Sequence, residues 1–339
     1  MQLATQYFDV SVFIGRFQPI HVGHLKTIRL ALERSKICIL IVGSYKSAPS
    51  TRNPWSSEQR IEMIKKCLHK EERKRVFFLP IRDRIYSEIV WQQNIVNEIF
   101  KVVQPQASIA LIGHNKDATS YYLKNFPNWT FIETGNFDGM NSTDFRKKFF
   151  SCGTPTYHYI PEQIKTWLQK FRKSNLFNQL LGEYLFVEEA RKKLSQNSFS
   201  VANSLVLCGN YILLVRRKNY PGKYLYAMPG GHLEENEEPM AGALRELYEE
   251  TNIELKQDEL KSCFVKKGYY DYTERNPIAR TFAHVFFYKL HFVECPKVTA
   301  GDDAHEAHWI LLDELNSLED KFFADHYQII QVLLGRISE

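Results

Sequence analysis

The sequence predicts two domains in one chain: a doubly wound α/β domain with a parallel sheet, followed by a mixed α+β domain. Three observations lead there. The 339 residues suffice for about two domains of ordinary size. The first half alternates buried-strand runs with helical periodicity, while the second becomes β-rich around one acidic helix. Charge divides at the same place, since residues 1–180 hold 26 Lys and Arg against 14 Asp and Glu, and residues 181–339 hold 18 against 25. A basic half suits an anionic ligand such as a nucleotide and an acidic half suits a divalent metal, although a plain solvated surface produces either pattern.

The elements follow in order. DVSVFIG (Asp9–Gly15) is a strand, HLKTIRLALERS after it a helix, and KICILIVGS the next strand, which together make a β-α-β unit. Further strands are expected at Arg75–Ile81, Ser108–His114 and Thr130–Gly135, with helices at Ser57–Lys70, Ile89–Val103 and Pro161–Ser174. The polar and charged stretch 181–198 reads as a linker, which sets the domains at 1–180 and 199–339. Beyond it, VANSLVLC, NYILLVRRK and YLYAMPG precede the acidic helix, and KSCFVKKGYYDYT and ARTFAHVFFYKLHF follow it.

Composition narrows the function classes. With 44% hydrophobic and 24% charged residues the chain is ordinary globular protein, not a disordered tail, collagen or coiled coil. The longest clean apolar run, Ile37–Gly43, falls far short of the ~20 residues of a membrane-spanning helix. The N-terminus has no basic stretch of the signal-peptide type, so a cytoplasmic location and no membrane partner are expected. Six cysteines without a CxxC pair point to reduced thiols rather than a zinc cage or disulfide framework. Lys and Arg are scattered rather than interleaved with aromatics on one face, which argues against nucleic acid as a partner. The oligomeric state stays open, a homo-oligomer included.

Where the first strand ends, the chain reads GRFQPIHVGH, Gly15–His24. Glycine stands at the strand exit, and two histidines flank Gly23 at a helix start, where amide groups and the helix dipole attract anions. His21 and His24 are placed to donate hydrogen bonds to phosphate oxygens. With MNSTDFR (Met140–Arg146), this segment resembles the two signatures of the HxGH nucleotidyltransferase superfamily, which has a Rossmann-like fold. Ser142 or Thr143 is expected to cap the second helix and offer donors to a triphosphate, with Arg146 one turn on. TRNPWSSEQR (Thr51–Arg60) and RDRIYSEIVW (Arg82–Trp91) extend the likeness to archaeal-type nicotinamide mononucleotide adenylyltransferases over roughly residues 8–175. That resemblance implies ATP held by Gly15, Arg16, Phe17, His21, His24, Ser142, Thr143 and Arg146. It also implies Arg52 near the reacting phosphates, and the nicotinamide mononucleotide against Trp91 and Asp83. A cationic ring over an indole face is physically sensible. The implied reaction is attack of the mononucleotide phosphate on the α-phosphorus of ATP, with Mg²⁺ on the triphosphate.

From Gly231 the chain reads GHLEENEEPMAGALRELYEETNI. Glu246, Glu249 and Glu250 stand at i, i+3 and i+4, so one helix face presents three carboxylates that suit Mg²⁺ or Mn²⁺, with Arg245 relieving part of the charge. The segment fits the Nudix box, G-x5-E-x7-R-E-U-x-E-E-x-G-U with U aliphatic, at every fixed position but one. Asn252 stands where glycine is usual, and asparagine tolerates the left-handed backbone that ends a helix. The resemblance implies metal-assisted hydrolysis of a nucleoside diphosphate derivative, with Glu249 and Glu250 as chief ligands and Glu246 and the Gly231 carbonyl in support. Asp302, Asp303 and Glu306 in GDDAHEAHW are candidates for the general base, and His305 and His308 do not form an HExxH motif. The whole arrangement resembles bacterial proteins that fuse the adenylyltransferase to an ADP-ribose pyrophosphatase, with Tyr269, Tyr270 or Tyr272 near the base. Two other readings stay open for the second half: a different nucleoside diphosphate substrate, or a regulatory ligand-binding module.

Overall fold

The structure, a computed structural model, describes residues 6–114, 125–135, 141–151, 158–195, 197–301 and 303–337. Met140, Cys152 and Asp302 lie outside the described residues. The chain divides into two compact units, Met1–Leu181 and Gly182–Glu339.

The first unit carries a five-stranded, all-parallel sheet in the order β3-β2-β1-β4-β5. Its strands are β1 (Phe8–Gly15), β2 (Ser35–Val42), β3 (Val76–Pro80), β4 (Ile109–Gly113) and β5 (Thr130–Glu133). The first three run outward in one direction and the last two in the other, so the order reverses between β1 and β4. Ligands of open α/β sheets bind at the carboxyl ends of the strands flanking such a reversal. The apolar residues Val10, Val12, Ile39, Ile41 and Leu111 are fully buried, as strands covered by helices on both faces require. Helices α1 (Val22–Arg34), α2 (Ser57–Cys67), α3 (Lys70–Arg75), α4 (Glu88–Phe100), α5 (Ser142–Ser151) and α6 (Glu162–Phe171) complete the unit. The single helix expected over Ser57–Lys70 stops at Cys67, and a separate turn of helix follows.

Helix α7 (Asn175–Lys193) departs from the sequence reading, because most of the stretch expected as a linker, 181–198, is its C-terminal half. Ser174 starts it by accepting the Phe177 N–H at 3.1 Å. Glu183 anchors it within the second unit by accepting the Gly222 N–H at 2.9 Å.

The second unit is a mixed seven-stranded sheet. Its main path is β10 (Phe264–Tyr270), β11 (Arg280–Leu290), β6 (Ser198–Cys208), β7 (Tyr211–Arg217) and β12 (Ala304–Leu311), with β8 (Tyr226–Ala227) on β7 and β9 (Gly230–His232) on β6. Strands β6 and β11 are parallel over their whole length. Helix α8 (Pro239–Thr251) packs Ala243, Leu244 and Leu247 against Ala202, Val206 and Phe286 of the sheet. The short α9 (Gln257–Ser262) and the C-terminal α10 (His326–Leu333) finish the fold. No helix among the described residues is long and apolar enough to cross a membrane.

Candidate active sites

In the first unit the loop leaving β1 is built around buried hydrogen bonds. The Gln18 amide pairs with the Trp55 backbone through both its ends, at 2.9 and 3.2 Å. The Arg16 carbonyl accepts from Arg60 at 2.6 Å, the Gln18 carbonyl from Arg146 at 2.7 Å and the Pro19 carbonyl from the Ser142 hydroxyl at 3.1 Å. Two buried guanidinium groups therefore lie beneath the loop, and they favour negative charge above it. Arg60 also donates to the carbonyls of Gly43 and Ser56, and burial lowers its pKa to about 10 without costing it the charge at neutral pH.

The histidines meet at the start of α1. His21 is the N-cap residue, and the pair exchanges backbone-to-ring hydrogen bonds: the His24 N–H donates to Nδ1 of His21 at 3.4 Å, and the His21 N–H to Nδ1 of His24 at 3.3 Å. Their rings stack with centroids 3.6 Å apart. With Nδ1 acting as acceptor, each neutral ring carries its proton on Nε2. Burial and the neighbouring His21 hold His24 well below the usual histidine range. The two rings are held side by side at the start of the helix.

Other expected residues take supporting places. Asn141, not Ser142 or Thr143, caps α5, its side-chain oxygen accepting the Asp144 N–H at 2.7 Å. The Ser142 hydroxyl holds the β1 loop, and the Thr143 hydroxyl accepts from Arg146 at 3.2 Å. Arg146 is itself buried beneath the loop. Phe17 adopts a positive φ of 50°, and its buried ring packs edge-on against Phe13 and His24, so only its main chain is left for a ligand. Gly15 has that ring 2.9 Å from where a Cβ would stand. Asp83 spends both oxygens on Ser44, at 3.1 Å to its N–H and 2.7 Å to its hydroxyl. Trp91 lies half-buried against Phe126 and the sheet core, and Arg52 is half-buried in the loop before α2. Arg60 and Gln18 were not singled out from the sequence, where each looks like any polar residue.

In the second unit the Gly230–Gly231 pair and α8 fit together tightly. A Cβ on Gly231 would stand 2.5 Å from the Glu246 carboxylate, so only glycine lets that carboxylate lie against the backbone. Glu250 is buried and accepts the Gly230 N–H at 3.0 Å. Arg245 gathers the remaining acids, reaching Glu237 at 2.9 and 3.0 Å and Glu246 and Glu249 at 2.9 Å each, and its pKa rises accordingly. Asn252 ends the helix with φ 40° and ψ 41°, the left-handed conformation expected where the pattern has glycine.

Burial, reinforced by Glu246 and Asp303, pushes Glu250 up to about 8 against the pull of the Gly230 amide and Arg217. Burial, with Glu249 and Asp303 adding, also raises Glu246 despite Arg245. Glu246, Glu249, Glu250 and Asp303 thus act on one another, with Glu250 buried, Glu246 half-buried, and Glu249 about half exposed and held by Arg245. Among the described residues no three acidic, histidine or cysteine groups converge as a finished metal cage. The donor chemistry nonetheless fits a hard divalent cation, since neighbouring carboxylates that raise one another's proton affinity are relieved by positive charge.

The docking of Gly301 on the end of α8 was not legible in the sequence, although the segment it opens supplied the base candidates. The Gly301 N–H donates to the Glu250 carbonyl at 2.9 Å, and a Cβ there would stand 1.8 Å from the Glu249 carbonyl oxygen. This docking brings Asp303 to the carboxylates. Glu306, expected on a loop as a candidate base, instead sits on β12, paired with Arg216 at 3.3 Å and with His308 at 3.2 Å. Of the three base candidates, Asp303 is the described one beside the cluster. Arg217, at the end of β7, faces Glu250, Asp303 and Glu183 and lies 4.3 Å from the Phe323 ring centre.

Residues 12–148 match the cytidylyltransferase-like family and residues 199–333 the NUDIX domain. The class is therefore a nucleotidyltransferase domain followed by a Nudix domain. The nicotinamide/nicotinic acid mononucleotide adenylyltransferase of Acinetobacter baylyi is 35% identical over 178 residues, 52% of this chain and 94% of the relative. The nicotinamide-nucleotide adenylyltransferase of Sulfurisphaera tokodaii is 29% identical over 168 residues, 48% of this chain and 91% of the relative. A crystal structure of a bifunctional NMN adenylyltransferase/ADP ribose pyrophosphatase from Francisella tularensis, complexed with AMP and Mn ion, superposes with a TM-score of 0.92 at 35% identity. It covers 97% of this chain and 99% of its own. The chain belongs to the family of bifunctional NMN adenylyltransferase/ADP ribose pyrophosphatases.

Proposed function

We propose that the first unit transfers the adenylyl group of ATP to nicotinamide mononucleotide, giving NAD and pyrophosphate, and that the second hydrolyses ADP-ribose to AMP and ribose 5-phosphate. The observation that carries the first reading is the stacked pair His21 and His24 at the start of α1, beside a loop backed by the buried guanidinium groups of Arg60 and Arg146. No covalent intermediate is needed. In-line displacement at phosphorus asks the protein for positioning and for donors where charge builds on the phosphoryl oxygens. Side-chain N–H groups of His21 and His24 and the amides at the start of α1 would meet that need.

For the second reading the support is the pair of carboxylates Glu246 and Glu250 set against the Gly230–Gly231 backbone, with the Asp303 carboxylate acting on both. Glu246 and Glu250, with Glu249 and the Gly231 carbonyl, would hold the divalent cation, Mg²⁺ or Mn²⁺. When bound, such an ion polarises a diphosphate and lowers the pKa of water. Arg245 orients Glu246 and Glu249, and Asp303 is the residue best placed to accept a proton at its carboxylate. The presence of all three box glutamates, Glu246, Glu249 and Glu250, argues against a purely regulatory module. A cytoplasmic enzyme acting on small molecules fits both halves. Chromatography of the products from ATP plus nicotinamide mononucleotide, and separately from ADP-ribose with Mg²⁺ and with Mn²⁺, tests the assignment. NAD and AMP are the expected products, and intact ADP-ribose with both metals refutes the second half.

A further inference from the structure

The backbone that meets the hydrolase carboxylates is held in place by the segment around the start of α10. Residues 226–232 include two consecutive glycines, and Gly230 sits at φ 155°, so its path is not fixed by side chains of its own. The peptide groups ahead of and at Gly230 are instead held one after another by different elements. The Tyr226 carbonyl accepts the Phe323 N–H at 2.8 Å, and the Met228 N–H donates to Nδ1 of His326 at 3.0 Å. The Pro229 carbonyl accepts the Ser204 N–H of β6 at 2.9 Å, and the Gly230 N–H donates to Glu250 at 3.0 Å. The first two of these bonds come from one short stretch, 323–326, laid along the chain just before the glycines.

That stretch is itself pinned. Asp325, the buried N-cap residue of α10, receives Nε and Nη2 of the buried Arg275 on one carboxylate oxygen at 3.3 and 3.2 Å, a contact over fifty residues of sequence. The Asp325 carbonyl accepts the Ile329 N–H at 3.0 Å, and the His326 N–H donates to the Phe323 carbonyl at 3.2 Å. Burial, with the charges of Arg275 and Arg217 adding, holds His326 well below the usual histidine range, so Nδ1 keeps the lone pair that the Met228 N–H needs. A buried ion pair gains little stability over apolar groups of the same volume, whereas a hydrogen bond from a fixed ring imposes one geometry.

We propose that Arg275, Asp325 and His326 form a positioning relay for the hydrolase, setting the Met228 amide and through it the Gly230–Gly231 backbone in register with the Glu246 and Glu250 carboxylates. None of the three is a metal ligand, and each acts through the next. Met228 lies three residues from Gly231, where a Cβ would already stand 2.5 Å from the Glu246 carboxylate, so a chain released at Met228 loses the fit at Gly231. The inference rests on the hydrolase reading and names residues outside the acidic helix that shape its cation site.

The test uses the full chain and reads Mn²⁺ directly, as loss of the free-ion electron paramagnetic resonance signal on titration, with Glu250→Gln as the blank for the hydrolase site. His326→Leu keeps bulk and removes the acceptor, while His326→Asn returns an amide oxygen near the place of Nδ1. Residues that orient a metal site from outside are worth about tenfold to a hundredfold in affinity, so the leucine variant should bind Mn²⁺ more weakly by that factor. The asparagine variant should recover most of the affinity, excess Mn²⁺ should restore ADP-ribose hydrolysis by the leucine variant, and adenylyl transfer should be unchanged in both. Wild-type Mn²⁺ affinity in the leucine variant overturns the relay, and so does equal weakening by leucine and asparagine, since the acceptor would then be irrelevant. Where the leucine variant does not fold, Arg275→Lys decides, because it keeps the charge and loses the fork: weaker Mn²⁺ binding supports the relay and wild-type binding overturns it. If the wild type binds no more Mn²⁺ than Glu250→Gln, the parent reading of the carboxylates fails and takes the relay with it.

Discussion

Replacing Glu250 by glutamine should abolish hydrolysis and yet stabilise the metal-free second unit at alkaline pH. The carboxylate is buried beside two others, and its pKa is raised from 4.5 to about 8, chiefly by that burial. The folded state therefore binds more protons than the unfolded chain between those values, and stability falls as pH rises through that window. At about 1.4 kcal/mol per unit of pKa, the loss between pH 5.5 and 8.5 amounts to about 3 kcal/mol. Glutamine keeps an oxygen for the Gly230 N–H and has no charge to bury, so it escapes that loss. The assay is urea denaturation of both proteins in EDTA across this pH range, following the transition that added Mn²⁺ moves upward. Wild-type stability should drop with pH relative to the variant, and the gap should close when Mn²⁺ is restored. Parallel pH profiles for the two proteins would refute the claim that Glu250 is an uncompensated buried acid.

Three further outcomes are expected. His24→Ala removes a preorganised donor and should lower adenylyl transfer by ~10²- to 10³-fold, leaving ADP-ribose hydrolysis intact. Because burial holds the His24 pKa down, the first unit should lose stability as pH falls below 6.5, where the unfolded chain gains the proton, and a melting series from pH 5 to 8 reads this. Arg60→Ala strands several buried carbonyls and should destabilise the first unit by ~3–5 kcal/mol, visible in denaturant midpoints, and lower NAD formation with it. Gly301→Ala cannot fit 1.8 Å from the Glu249 carbonyl oxygen, so the 299–301 loop must shift. Hydrolysis assays should show the loss while adenylyl transfer persists.

Sequence legibility followed the range of the interactions involved. The β1-loop-α1 unit and the carboxylate helix are local patterns of spacing, and His21, His24, Gly231, Glu246 and Glu250 stand where those patterns place them. Arg60 could not be read, since its role arises only when residues 16 and 43, distant in sequence, bring their carbonyls to it. Strand β12 was missed because HEAHW lacks the apolar alternation of a half-buried strand, and its pairing with β7 supplies what the pattern does not. Helix α7 was hidden by an internal glycine, Gly182, and by apolar residues that do not keep to one face, since Leu185 and Phe186 are exposed. Asp303 reaches the carboxylates through the docking of Gly301 on α8, a contact over some fifty residues. The cap of α5 shows the opposite limit: three polar residues in a row, Asn141, Ser142 and Thr143, satisfy the capping rule equally well, and only the coordinates select Asn141.

Two independent sites in one chain is the central claim, and the most direct measurement is a two-by-two assay of purified full-length protein carrying either His24→Ala or Glu250→Gln. Each is given ATP plus nicotinamide mononucleotide with Mg²⁺, and separately ADP-ribose with Mn²⁺. The histidine variant should lose NAD formation and still release AMP, and the glutamate variant should do the reverse. Loss of both products in either variant, or of neither, would contradict that claim.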